Sequence, residues 1–215
     1  MNKPEERLSS AALYALAAAK EILTGGKAVL LTGAGLSTDS GIPDYRGAGR
    51  VARHPMTFDS FMSGIEAQQR YWSRSFVGFS RIALAKPNPG HFALARAEQS
   101  GRLVGLITQN VDGLHQAAGS SQVLDLHGRL DKVICLKCAA VFERALVDDW
   151  IAELNPTIER DQTIEFTPDG DAEVGFTDSF VVPTCKNCGG TIKPDVVFFG
   201  EQVPVARVNE ATAWV

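Results

Sequence analysis

Some segments of the chain have apolar residues at the spacing of a helix, and others have the short apolar runs of a strand. Apolar residues at helical spacing run over residues 8–24 and stop at a Gly-Gly pair, which predicts an amphipathic helix. Continuous apolar runs at 28–32, 104–108 and 123–126 predict strands, the first of them buried on both faces. Further helices are expected at 91–99, 145–154 and from 205 onward, and short helical stretches within 47–90. Strands that alternate with helices predict an α/β fold with a parallel sheet.

Composition narrows the class of protein. With 215 residues and 45% hydrophobic content, the chain can bury a sizeable core. A net charge of −4 provides no basic field for nucleic acid, and no apolar run is long enough to cross a bilayer. The N-terminus has no signal-peptide core, so a cytoplasmic location is expected.

The four cysteines form two Cys-x-x-Cys pairs, Cys135 with Cys138 and Cys185 with Cys188. Two such knuckles complete a tetrahedral Cys₄ site, and four thiolates leave no position for a catalytic water. The pattern therefore predicts a structural zinc ion. A thiol–disulfide enzyme is the competing interpretation, although nothing thioredoxin-like surrounds either pair.

A glycine-rich turn, Gly33-Ala34-Gly35, follows the first strand directly. Glycines at this position let a backbone approach a pyrophosphate closely, and the next helix would direct free N–H groups at it. Thr38 stands where the dinucleotide fingerprint has its third glycine, so an ordinary strand–turn–helix remains an alternative. The run from Ser40 to Arg46 adds a rigid turn and an Asp/Arg pair beside the loop.

Polar residues also follow the other two strands. The second strand leads straight into Gln109-Asn110-Val111-Asp112, and the third ends in His127-Gly128. Open α/β sheets bind ligands at the carboxyl ends of their strands, which favours a site here over a simple polar turn. A histidine at such an end titrates near neutrality.

The blocks from Gly33 to Arg46 and from Thr108 to His115 together resemble the signature motifs of the sirtuins, NAD-dependent protein-lysine deacylases. The resemblance runs from about residue 10 to 215 with four motifs in the family's order. The stretches 70–74, 154–156 and 168–171, with Tyr45, are most similar to the class II branch.

The resemblance implies a Rossmann-like parallel sheet with an inserted smaller zinc-ribbon and helical module. The NAD-binding domain would comprise 1–46, 91–130 and 194–215, the cofactor-loop and helical module 47–90, and the zinc ribbon 131–193. The family continues past Val215 through further strands, so the expectation is that its C-terminal strands are missing and that this chain alone binds NAD weakly.

The family mechanism implies roles for the motif residues. The acyl-lysine carbonyl oxygen attacks C1′ of the nicotinamide ribose, nicotinamide leaves, and water then yields free lysine and O-acyl-ADP-ribose. His127 would be the general base and Asn110 the other catalytic residue. The implied NAD-binding residues are Gly33, Ala34, Gly35, Ser37, Pro43, Asp44, Tyr45, Arg46, Gln109, Asn110, Val111, Asp112 and His127.

The acylated protein lysine is the implied partner, and the implied substrate residues are Val197, Phe198, Phe199, Gly200, Glu201, Tyr71 and Arg74. Tyr71 and Arg74 stand at the spacing with which another sirtuin branch reads acidic acyl groups, so acidic or branched acyl-lysines are expected to be preferred to acetyl-lysine. The alternative is that Tyr71 packs in the core and Arg74 lies at the surface.

Two other functions stay open on the sequence. One is mono-ADP-ribosyl transfer to a protein side chain, which uses the same activated ribose. The other is a truncated module that binds NAD or a partner without turnover. The sequence does not indicate an oligomeric state.

Overall fold

The structure is a computed structural model that describes residues 9–44, 55–158 and 179–215. Tyr45, Arg46 and the stretch 168–171 lie outside the described residues. The helices are α1 Ser10–Gly25, the 3₁₀ helix η1 Ala34–Ser40, α2 Phe58–Met62, α3 Ile65–Ala83, α4 Pro89–Gln99, α5 Leu114–Ala117, α6 Arg144–Leu154 and α7 Val205–Trp214. The strands are β1 Ala28–Thr32, β2 Leu103–Thr108, β3 Val123–Asp125, β4 Gly128–Cys135, β5 Val141–Glu143 and β6 Ile192–Val196.

The first sheet is parallel, in the order β1-β2-β3, as the sequence predicts. The pairing of β1 and β2 continues past the strands, because Gln109 N–H donates to the Thr32 carbonyl at 3.0 Å. The expectation that β1 is buried on both faces is wrong, since Leu31 is 60% exposed. β1 lies at an edge of the described sheet, whereas β2 lies between two neighbours and is buried along almost its whole length.

The second sheet is antiparallel, in the order β5-β4-β6, and carries the cysteine knuckles. β6 spans the predicted domain boundary between residues 193 and 194 and pairs with β4, not with the parallel sheet. The core lies between this sheet and the helices α3 and α6. Its largest members include Phe61, Trp72, Phe76, Leu130, Val133, Ile151, Phe180 and Ile192.

α3 corrects the expectation of short helical stretches across 47–90. It is one helix of 19 residues, because its middle turns, from Tyr71 to Gly78, are buried almost continuously in the core. The Trp72 indole N–H donates to the Ile192 carbonyl at 3.3 Å, which attaches the helix to β6. Phe61, Tyr71, Trp72 and Phe76 are buried in the core, whereas Met62 is 44% exposed.

The two sheets meet at Gly128, the first residue of β4. Its φ is +80°, and a Cβ built there would lie 1.9 Å from the Asp195 carbonyl oxygen on β6. Only glycine fits at this position. α7 spans the same junction, since Arg207 pairs with Asp195 at 3.0 Å while the Trp214 ring lies against Gly105 of β2.

No helix among the described residues combines the length and apolar character that a bilayer crossing requires.

Candidate active site

A cavity of about 850 Å³ opens at the carboxyl ends of β1 and β2 and reaches across to the segment after β6. It gathers side chains from three separate predicted motifs. The lining residues foreseen from the sequence are Ala34, Gly35, Ser37, Asp44, Tyr71, Gln109, Asn110, Val111, Asp112, His127, Val197, Phe198, Phe199 and Glu201.

Four other predicted residues do not line the cavity, namely Gly33, Pro43, Gly200 and Arg74. Gly33 precedes the first lining residue, and a Cβ on it would lie 3.4 Å from Gln109 Oε1. Tyr71 does face the cavity while also packing edge-on against Phe61, with ring centroids 5.5 Å apart. The structure therefore brings Tyr71 to the cavity and does not bring Arg74 there.

The glycine-rich turn leads into a helix as the sequence predicts, and this helix is η1, a 3₁₀ helix of seven residues. Gly35 lines the cavity, and no atom of the described residues lies within 4 Å of a Cβ built on it. The backbone beside Gly35 is consequently open to a ligand. Ser37, in the same turn, is 1% exposed and directs its hydroxyl at the residues that follow β2.

A chain of hydrogen bonds joins η1 to the end of β2. Ser37 Oγ donates to Asp112 Oδ2 at 2.6 Å and accepts from Asn110 Nδ2 at 3.0 Å. The second oxygen of Asp112 accepts from the Leu114 N–H at 2.9 Å, so this carboxylate caps the start of α5. Asn110 and Asp112 are therefore fixed in place before any ligand binds.

His127 lies at the end of β3 with its Nδ1 3.2 Å from the Gln109 carbonyl oxygen. A carbonyl oxygen only accepts, so Nδ1 carries the proton and Nε2 of the neutral ring has a free lone pair. Burial lowers the pKa of His127 below 6.5, the Gln109 hydrogen bond opposes this, and the positive charge of Arg207 lowers it further. The ring is thus neutral at pH 7 and able to accept a proton.

The opposite wall is the segment from Val196 to Glu201, built around the buried side chain of Lys193. Lys193 Nζ donates to the Val196 carbonyl at 2.5 Å and pairs with Glu201 Oε2 at 3.1 Å. The same carboxylate oxygen accepts from the Phe198 N–H at 2.8 Å. Burial lowers the pKa of Lys193, and the negative charge of Glu201 opposes the shift.

Sequence reasoning missed five lining residues, Ile42, Pro55, Met56, Val196 and Val203. They are apolar residues or proline and belong to no motif. Only their proximity in the sequence to the Gly-rich and Phe-Gly-Glu blocks could have suggested them. It also missed Lys193, whose only sequence signal is a position shortly before that block.

The second candidate site is the cysteine cluster, whose sulfur atoms all lie within 4.8 Å of one another. Cys135 and Cys188 have their sulfurs 3.6 Å apart, and Cys138 and Cys185 3.7 Å apart. Zinc–sulfur bonds of about 2.3 Å in a tetrahedron place sulfurs about 3.8 Å apart. The cluster fits a structural zinc ion in the arrangement that the sequence predicts.

Comparison with known proteins agrees with this geometry. A family model described as the Sir2 family matches residues 33–214. An NAD-dependent protein deacetylase of Xanthomonas axonopodis pv. citri is 52% identical over 192 residues, which are 86% of this chain and 64% of that protein. NAD-dependent protein deacetylase 1 of Streptomyces coelicolor is 48% identical over 200 residues, 90% of this chain and 66% of that protein. The chain thus spans about two thirds of the length of these curated relatives.

Solved structures resemble the fold as well. One described as Sir2-p53 peptide-NAD+ has a TM-score of 0.68 and 31% identity, with 92% of this chain and 70% of that chain covered. Another, Sir2 bound to acetylated peptide, has a TM-score of 0.66 and 30% identity, with 93% and 70% covered.

Proposed function

The chain belongs to the Sir2 family, and from this premise we propose that it takes part in NAD-dependent removal of acyl groups from lysine side chains of proteins. The observation that carries the proposal is one cavity lined by His127, by the polar residues after β2 and by the segment after β6. The names of the relatives and the NAD and peptide complexes among the structural neighbours support the same reaction.

His127 is the proposed general base. Its Nδ1 proton is held by the Gln109 carbonyl, so Nε2 is the atom that takes a proton from a ribose hydroxyl of the substrate. Burial favours the neutral ring and thereby the basic form at pH 7. A lost general base costs about 10²- to 10⁴-fold in rate.

The NAD end of the cavity is assigned to the turn Gly33–Ser37 and to the residues that follow β2. The open backbone at Gly35 suits a pyrophosphate, which requires close approach of the main chain. The hydrogen bonds of Ser37 hold Asn110 and Asp112 in place for the ribose and nicotinamide. Asp44 lines the cavity beside them, and the proposed roles of Pro43, Tyr45 and Arg46 rest on the family motif alone.

The acyl-lysine peptide is proposed to bind along 197–201. An extended peptide adds to an exposed backbone edge by main-chain hydrogen bonds. Phe198 and Tyr71 provide an apolar wall beside it, with ring centroids 4.9 Å apart. The preference for acidic or branched acyl groups is not part of this proposal, because Arg74 does not line the cavity.

The zinc ion has a structural role in this proposal, and the domain boundaries given from the sequence remain a proposal too. The cytoplasmic location stays a prediction.

The test measures nicotinamide released from NAD in the presence of a panel of acyl-lysine peptides, with mass analysis of each peptide. Loss of the acyl mass is expected, and His127→Ala should lower the rate by about 10²-fold or more while NAD binding by calorimetry survives. Addition of an ADP-ribose mass to the peptide, or an unchanged rate in His127→Ala, would contradict the proposal.

A further inference from the structure

Two fully buried histidines lie behind the cavity and take no part in the proposed chemistry. His91, in the first turn of α4, is 0% exposed, and His115, in α5, is 1% exposed. Their ring centroids are 5.0 Å apart. Among the residues that the structure describes, His91 Nε2 and His115 Nδ1 are buried ring nitrogens without a hydrogen-bond partner. Such atoms are rare in native proteins, since a buried polar group without a partner is unfavourable.

The hydrogen bonds of the two other ring nitrogens fix both tautomers. His91 Nδ1 accepts the Asn88 backbone N–H at 3.3 Å, so the proton of a neutral His91 sits on Nε2. The Thr32 hydroxyl donates to the Thr108 hydroxyl at 2.9 Å, so it must accept from His115 Nε2, also at 2.9 Å. The proton of a neutral His115 is then on Nε2 as well.

The two unpaired nitrogens are therefore complementary. His91 Nε2–H is a buried donor, and His115 Nδ1 is a buried acceptor on the adjacent ring. Both rings are neutral at pH 7, because burial lowers the pKa of His91 and lowers that of His115 to about 4. The Asp112 carboxylate raises both pKa values without reversing the shift, and a positive charge on His91 would lower the pKa of His115.

On either side of this pair, hydrogen bonds run to the cavity. On the His91 side, the Asn88 side chain donates to the Leu36 carbonyl at 2.7 Å and to Ser40 Oγ at 3.0 Å, both in η1. On the His115 side, Thr32 leads to Thr108, whose hydroxyl accepts the Asn110 N–H at 3.1 Å. Asn110 returns to η1 through Ser37. Together with the chain of η1, these bonds form a ring that is interrupted between His91 and His115.

We propose that His91 and His115 are joined through one enclosed water molecule and act as a single positioning unit, which holds η1 and the residues after β2 in the geometry that the cavity needs. The water accepts from His91 Nε2–H and donates to His115 Nδ1, so every ring nitrogen is paired. The role of this unit in NAD binding rests on the proposed function. The water bridge that closes the ring of hydrogen bonds does not depend on it.

Pairs of variants at one position distinguish the effect of losing the water bridge from the effect of replacing the side chain. The amide of Asn occupies the place of Nδ1 and that of Gln the place of Nε2. His91→Asn therefore keeps an acceptor for Asn88 and cuts the bridge, whereas His91→Gln keeps a donor toward His115. His115→Gln keeps the bond to Thr32 and cuts the bridge from the other side.

The first measurement needs no ligand. Two-bond ¹H–¹⁵N correlation spectra of the wild-type chain at pH 7 should show both rings neutral with the proton on Nε2. A charged ring, or a proton on Nδ1 of either histidine, overturns the proposal. Because the wild-type protein is used, this result does not depend on whether any variant folds.

The second measurement is a double-mutant cycle on the unfolding equilibrium in urea. His91→Asn and His115→Gln should each raise the unfolding constant about tenfold, and the double variant should also raise it about tenfold, because both cut one bridge. A rise of about a hundredfold in the double variant would mean two independent losses and would overturn the proposal.

The third measurement is NAD affinity by calorimetry. His91→Asn should weaken it about tenfold, and His91→Gln should stay within about threefold of wild type. Equal weakening in the two variants overturns the positioning role. If the wild-type chain does not bind NAD, the proposed function fails while the spectra and the cycle still decide whether the bridge exists.

Discussion

At the scale of single residues, the burial of His115 couples stability to pH. The unfolded chain protonates this ring near 6.5, whereas the folded protein protonates it only at about 4. Acid therefore favours the unfolded state. The contribution of this ring to the free energy of unfolding is fully present above pH 6.5 and is lost as the pH falls toward 4.

We predict a loss of up to about 3 kcal/mol from this ring across that window. Urea unfolding at pH 7, 6 and 5 measures this loss. His115→Gln is the control, because a glutamine side chain at position 115 does not titrate. The difference between wild type and variant should shrink as the pH falls. Parallel curves for the two proteins would contradict the prediction.

Residues of the cavity differ in how far the sequence could foresee them. Asn110, Asp112 and His127 were predictable, because a polar run directly after a buried strand must emerge at the carboxyl edge of the sheet. The contact between Thr32 and His115 was not, because 83 residues separate two side chains that meet only in the folded protein. Ile42, an apolar residue in a loop, likewise has no signal before folding brings it to the cavity.

At the scale of elements, the hydrogen bonds between the zinc-ribbon strands are too few to stabilise this module without the metal. β5 has three residues, none of them buried, and residues 136–139 of the first knuckle are exposed. A structural metal supplies folding free energy to a module of this kind. A Cβ on Gly190 would lie 3.2 Å from the sulfurs of Cys135 and Cys188, so the turn also encloses the thiols closely.

We predict that Cys138→Ser or Cys185→Ser abolishes zinc binding and unfolds this module, because three thiolates no longer complete the tetrahedron. Metal analysis and thermal unfolding of protein purified without chelator provide the measurement. Lys137→Ala is the control, since it lies between the ligands, is exposed and keeps its Cβ. A cysteine variant with full zinc content, or wild type with none, would refute the prediction.

Element types could be predicted better than element lengths. The three parallel strands and α4 stand where periodicity predicts them, because their patterns are set within each segment. α3 is longer than predicted, since its continuity comes from burial of its middle turns in the core, which only the folded protein provides. The 3₁₀ form of η1 was not predictable either, because Ser37 is fixed by Asp112 and Asn110, which follow β2 and are distant in the sequence.

At the scale of the whole molecule, the two sheets are joined where β3 leads into β4. His127 and Gly128 form the junction, and the His127 carbonyl accepts the Val197 N–H at 2.8 Å. The proposed base therefore lies on the joint itself. Any strain at this joint reaches both walls of the cavity.

We predict that Gly128→Ala destabilises the protein by about 3 kcal/mol or more, because its Cβ would overlap the Asp195 carbonyl in addition to the cost of a positive φ. Gly101→Ala is the matched control, with φ +73° and no atom of the residues that the structure describes within 4 Å of the new Cβ, and should cost about 1–2 kcal/mol. Urea unfolding compares them. Equal losses would show that the backbone angle alone matters.

The placement of the indole rings has an optical consequence. The chain has three tryptophans, and each belongs to a different part of the fold. Trp72 is buried in the core, Trp150 lies 5.4 Å from the Lys186 ammonium between the second pair of cysteines, and Trp214 lies on the parallel sheet at Gly105. Three variants, each with two of the tryptophans replaced by phenylalanine, would keep one indole at a time. The fluorescence emission wavelength of that indole then reports separately on the core, the zinc ribbon or the docking of α7.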